Sequence, residues 1–154
     1  MKTKTILLAL LACIAGAVAG FAADAHMGTW KLDEAKSKIS PGAPKNTTVV
    51  YEPAGDNVKV TVDGIDGAGK PTHNEWTGKF DGKDYPLTGS PTSDTRVYTQ
   101  VDDRTLTFTE KKGSNVTITG RAVVSADGKS RTVTATATDP QGQKVNFTAV
   151  YDKQ

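Results

Sequence analysis

The chain is predicted to be all-β: an antiparallel up-and-down β-barrel of about eight to ten strands. Three observations predict it. From Gly28 onward the chain is a series of short segments in which apolar and polar residues alternate. Asp-Gly and Gly-x pairs separate these segments with links of two to five residues, supplying the positive φ that tight hairpins need. No linker or break in composition divides the series, so residues 26–154 read as one domain.

The first 25 residues stand apart and read as a signal peptide. Lys2 and Lys4 give a positive start, Ile6 to Ala19 is an apolar run, and Ala23-x-Ala25 offers small residues for cleavage, with cuts after Ala19 or Ala22 as alternatives. This predicts a periplasmic or secreted protein. Cys13, the only cysteine, lies in the leader; Leu10-Leu11-Ala12-Cys13 faintly resembles a lipoprotein box, a minor alternative. Removing the leader leaves no thiol, hence no disulfide, thiolate metal site or cysteine nucleophile.

Strand one is read at 28–32. Asp33–Lys38 is read as a turn or two of helix capped by Asp33 and stopped by Pro41 and Pro44. Further strands are read at 46–53, 58–65, 71–80, 84–88, 94–101, 104–112, 115–125, 130–139 and 144–152. Turns carry Gly55-Asp56-Asn57, Gly67-Ala68-Gly69, Asp81-Gly82-Lys83, Gly113-Ser114, Asp127-Gly128-Lys129 and Gln141-Gly142. The alternation is clearest late in the chain. Leu106 and Phe108 share a face, as do Val116, Ile118, Gly120 and Ala122, then Val133, Ala135 and Ala137, then Val145, Phe147, Ala149 and Tyr151. The opposite face is rich in threonine, which has high β-propensity and tolerates water.

Closing such a meander into a barrel removes its exposed edges. The inward residues are mostly Val, Ala and Gly, and small residues lining a wide barrel leave volume for water or a ligand. That volume is the step from pattern to a binding expectation.

Charge excludes some partners. The leader holds Lys2, Lys4 and Asp24, so the formal +2 of the whole chain becomes +1 for residues 26–154. Both signs are interspersed, and no basic run points to nucleic acid or an anionic membrane surface. Stable membrane insertion after leader removal is not expected either, because the apolar residues suffice for one barrel face only.

Gly28-Thr29-Trp30-Lys31-Leu32 resembles the first strand of the calycin superfamily, the lipocalins and intracellular fatty-acid-binding proteins, where Gly-x-Trp opens the barrel and the tryptophan closes its base. Thr148-Ala149-Val150-Tyr151-Asp152-Lys153 resembles the last strand of fatty-acid-binding proteins, which carries Arg-x-Tyr. The chain also resembles uncharacterised small secreted lipocalin-like proteins of bacteria. The resemblance implies the barrel fold and an interior cavity. It does not carry over fatty-acid transport: Ala149 stands at the family's carboxylate-binding arginine and only Tyr151 matches. The 13 residues between Leu32 and Asn46 are too few for a two-helix lid, and no C-terminal helix follows.

Candidate residues follow. Gly28 and Trp30 are the expected plug, with Arg121 or Arg131 as the arginine that would cover it. Trp76, Phe80, Tyr98, Phe108, Phe147 and Tyr151 are read as core, or in part as ligand-cavity lining; Arg121 and Tyr151 are the polar candidates there, though strand parity sets Arg121 out of phase with Ala122. His73 and Glu75 share a face and read as a surface pair rather than a base with its orienter. His26 falls at the expected mature N-terminus. Asp63, Asp66, Asp102 and Asp103 read as turn chemistry, lacking the ligand spacing of a calcium loop. The expectation is a monomeric, non-catalytic module without cofactor or metal, enclosing a small, partly apolar ligand. The alternative is an envelope structural or interaction protein with no internal ligand.

Overall fold

A computed structural model describes residues 24–139 and 141–154. The apolar leader run, Cys13 and the cleavage positions up to Ala23 lie outside the described residues. Ten strands follow a short 3-10 turn, Asp24–His26: β1 (Gly28–Lys38), β2 (Lys45–Ala54), β3 (Asn57–Ile65), β4 (Pro71–Gly78), β5 (Tyr85–Thr88), β6 (Thr95–Asp102), β7 (Thr105–Lys112), β8 (Asn115–Val124), β9 (Ser130–Thr138) and β10 (Lys144–Lys153). Each strand pairs antiparallel with the next, and β10 returns to β1, closing the barrel. Trp30 faces Lys153 and Leu32 faces Tyr151 across that seam.

The alternation does the sorting. Val58, Val60 and Val62 on β3, Arg96 and Tyr98 on β6, Leu106, Phe108 and Glu110 on β7, and Arg131 and Val133 on β9 turn inward; Lys59, Thr99, Arg121 and Thr134 turn outward. The end holding the 3-10 turn, Trp30 and Gln154 is the base. The opposite end, with the links at 39–44, 66–70, 89–94 and 139–143, is the mouth.

The predicted helix at Asp33–Lys38 does not form; these residues extend β1. Six residues cannot offset the cost of nucleating a helix, while β10 offers them a ladder. The register slips between Asp33 and Lys38, a bulge fastened by Ser37: its Oγ donates to the Asp33 carbonyl at 2.7 Å and accepts from the Val150 amide at 2.9 Å. Asp33 still serves a local turn, accepting from the Lys36 amide at 3.2 Å. The 3-10 turn Asp24–His26 spans the expected leader boundary. Ala25 packs against the core and His26 is fully buried, so the expected boundary between leader and barrel cuts through the 3-10 turn.

Candidate functional site

The lumen is the candidate site, and its base is solid. Trp30 is fully buried there, and its indole Nε1–H donates to the His26 carbonyl at 2.8 Å, so the 3-10 turn satisfies the one polar atom of the plug. Of the two arginines expected to cover Trp30, Arg131 does so, 5.8 Å from the ring centroid. Gly28 holds φ at +105° where β1 leaves the turn, and Lys153 lies 3.1 Å from where a Cβ would stand.

Above the plug, rings interlock. Tyr98 meets Trp76 edge-on at 4.9 Å, Phe80 at 5.5 Å and Phe108 at 6.0 Å, and Phe80 stacks on Trp76. The Trp76 indole donates to the Arg96 carbonyl at 2.9 Å, and the Tyr51 and Tyr98 hydroxyls share a hydrogen bond of 3.2 Å. Large rings therefore occupy much of the space that the count of Val, Ala and Gly left open. The cavity that remains has a volume of about 70 Å³.

That residual cavity lies between aromatic floor and mouth. Phe108, Phe147, Ile118, Val49, Val62 and Val133 give it apolar walls; Arg96, Glu110, Arg131, Tyr98 and Tyr151 give it polar groups. Arg96 grips Glu110 through Nε at 2.8 Å and Nη2 at 2.6 Å, with both side chains under 10% exposed. Arg131 sits over Tyr51 at 4.8 Å and Tyr151 at 5.5 Å but makes no ion pair among the described residues. Its Nε and Nη1, and Nη1 of Arg96, are buried without a hydrogen-bond acceptor.

Burial and these charges shift the titration of Tyr98, Tyr151, Arg96 and His26. Burial, then the adjacent Tyr51 hydroxyl, push Tyr98 far above the ordinary phenol range. Burial pushes Tyr151 up to about 12, with Arg131 pulling the other way. Burial opposes the Arg96 charge, but Tyr98 and Glu110 outweigh it and hold the guanidinium above its ordinary value. Burial, then Arg131, push His26 down to about 3. The Tyr98 and Tyr151 phenols and the His26 imidazole are thus held neutral.

Of the predicted lining residues, Trp76, Tyr98, Phe108, Phe147 and Tyr151 all project inward, with Trp76 below the cavity as core. Arg121 does not join them. It stands exposed on the outer face, because it alternates against the buried Ala122 and no bulge intervenes on β8–β9. There it borders a shallow outer groove of about 710 Å³ across β7–β10, with Thr107, Thr134, Thr148 and Lys38. Arg96, Glu110 and Tyr51 were not anticipated. Parity could have found the first two: Arg96 is in phase with Tyr98, and Glu110 with Leu106 and Phe108.

His73 lies outside the barrel, its Nδ1 2.6 Å from Asp63 and its Nε2 3.4 Å from Glu75, which in turn pairs with Lys59 at 3.0 Å. Asp63 raises the His73 pKa most, burial opposes it, and Glu75 adds to the rise. Asp66 caps its own turn, accepting from the amides of Ala68 and Lys70 at 2.8 and 2.9 Å. Among the described residues no group of three or more His, Asp or Glu is placed to hold a metal ion.

No family model matches the chain, and no curated protein does. Solved structures do match. EF1p2_mFAP2b bound to DFHBI superposes with a TM-score of 0.52 at 12% identity, covering 86% of this chain and 97% of that one. The redesigned β-barrel mFAP1 bound to DFHBI gives 0.49 at 15% identity, over 86% of this chain and 98% of that one. At such identities the similarity is one of fold: a closed antiparallel β-barrel.

Proposed function

We propose that the chain is an exported, calycin-like binding barrel that holds a small, partly apolar molecule in its lumen without transforming it. The carrying observation is the residual cavity, where apolar walls meet a few convergent polar groups, the composition typical of small-molecule sites. Asn46 is exposed and Ile118 and Phe147 are half-buried, so this side of the cavity meets solvent. Support also comes from the matched barrel EF1p2_mFAP2b, which was solved with the small molecule DFHBI bound. The reading includes a monomer that works without cofactor, nucleic acid or bilayer, delivered to the periplasm or beyond by residues 1–25. A non-catalytic role fits the placement of His73, which faces water between two carboxylates with no nucleophile paired to it.

Size limits the ligand. Drug-sized molecules occupy sites of about 300 Å³ or more, and this lumen offers about 70 Å³. The molecule is therefore small, or Phe108 and Phe147 move aside for it. Phe108 lies against Gly120, where a Cβ would come within 2.4 Å of the ring, and both phenylalanines are half-buried. A thermal-shift screen with small apolar molecules tests the proposal. Members of the panel are expected to raise Tm, and Phe108→Ala is expected to extend the response to larger members. No shift with any member, small acids included, in either protein ends this reading. The outer groove favours a second one, an interaction surface on β7–β10 with the lumen serving only as core.

A further inference from the structure

Arg131 is a cavity-lining cation with no ion-pair partner among the described residues. Among the described residues Glu110 is the only carboxylate lining the cavity, and its Oε1 accepts two hydrogen bonds from Arg96. Arg131 is 5% exposed, and among the described residues its guanidinium donates no hydrogen bond. Tyr51, Tyr151 and Trp30 present ring faces to it, which attract the charge but leave its Nε and Nη1 hydrogens without an acceptor. A buried charge is costly unless it is paired and hydrogen-bonded. With the Arg96–Glu110 pair neutral as a unit, the lumen carries a net +1.

The void beside this charge is about 70 Å³, roughly two waters by their share of liquid volume. Arg131, Phe108 and Phe147 are among the residues that line it. A dianion would overcompensate the charge, and a neutral molecule would leave it unpaired. We propose that the lumen's ligand is a small monocarboxylate, its oxygens accepting from Arg131 and its carbon end between Phe108 and Phe147. This rests on the reading above that the lumen is the binding site, and it adds the charge of the occupant. No long acyl chain is required or accommodated.

The test is thermal denaturation of the purified protein in acetate, in acetamide as the neutral counterpart of similar size, and in chloride at matched ionic strength. Acetate is expected to raise Tm, on the order of 10 °C at a hundredfold excess over Kd, with no rise from acetamide or chloride. Arg131→Met keeps the length of the side chain and removes the charge. It is expected to abolish the acetate response while matching or exceeding the unliganded Tm of the parent, because it deletes an unpaired buried ion. Should that variant fail to fold, the Arg131 Nε–H resonance of the parent protein supplies the answer: it is expected to shift on titration with acetate and not with acetamide. Equal stabilisation by chloride would identify an adventitious ion only and overturn the proposal. Neutral apolar molecules binding parent and Arg131→Met alike, with no acetate effect, would overturn it while leaving the lumenal reading standing. Silence from every probe, charged and neutral, removes both.

Discussion

His26 and Arg131 share the base of the barrel, and the charge of one constrains the other. Burial first, and the Arg131 charge second, hold the imidazole near pH 3 against an ordinary value of 6.5. Neither ring nitrogen has a hydrogen-bond partner, and the Arg104 backbone and the Asp102 charge, which favour a proton there, do not outweigh burial. Between about pH 6.5 and 3 the unfolded chain therefore binds a proton that the folded chain refuses. Stability falls as pH drops across that window, by a total on the order of 5 kcal/mol, and His26 contributes no pH dependence above it. His73 runs the other way: its raised pKa gives a contribution that is complete below pH 6.5 and fades as pH rises through the folded value. Denaturant melts from pH 7 to 4 are expected to show the loss in the parent and a much flatter profile in His26→Phe, which keeps a ring against Tyr51. An unchanged profile in that variant would mean that carboxylates such as Asp33 and Asp102, both held below their usual range by hydrogen bonds, account for the acid sensitivity. At this scale the sequence was partly readable. Alternation placed Tyr98, Phe108, Phe147 and Tyr151 inward and already argued against Arg121. It did not reveal that Arg131 would lack an anion, because pairing depends on which strands become neighbours.

The 3-10 turn Asp24–His26 belongs to the barrel although it sits against the leader in sequence. It accepts the Trp30 indole N–H and buries His26 and part of Ala25 at the base. A cut after Ala25 would place a charged α-amine on a fully buried residue, which is costly. Cuts after Ala19 or Ala22 leave the turn intact. Intact-mass measurement of the exported protein is expected to show a chain that begins ahead of Asp24; a mass beginning at His26 would contradict this. A chain made to begin at Met27 leaves the buried Trp30 N–H unpaired, with an expected loss of about 1–3 kcal/mol in chemical denaturation. Element boundaries were legible elsewhere within about two residues, because each hairpin carries its own turn chemistry, such as Asp127-Gly128, where Gly128 adopts φ +72°. The exception was Asp33–Lys38. Its helix-like composition is a weak local preference, and pairing with a strand more than a hundred residues away overrides it.

A closed ring of strands has no privileged seam. Each strand has two neighbours, so wherever the chain begins, one pairing must join its ends; here that pairing is β1 with β10. The first and last strands meet at the base, where the Gln154 amide donates to the Thr29 carbonyl at 2.9 Å. Joining residue 154 to residue 24 through a short flexible linker and opening the chain at Gly113-Ser114 would keep every strand pair. The pairing of β7 with β8 would become the long-range one and that of β1 with β10 local, so mean sequence separation hardly changes. The permutant is expected to keep its far-UV spectrum, to unfold within about 2 kcal/mol of the parent and to fold within about tenfold of its rate. Its lumen would hold the same Arg131, Tyr51 and Tyr151, so its response to acetate should match the parent's. A permutant that folds but loses that response would show that the cation's surroundings depend on the connection at the mouth. One that fails to fold would show that the β7–β8 hairpin must form locally before the ring can close.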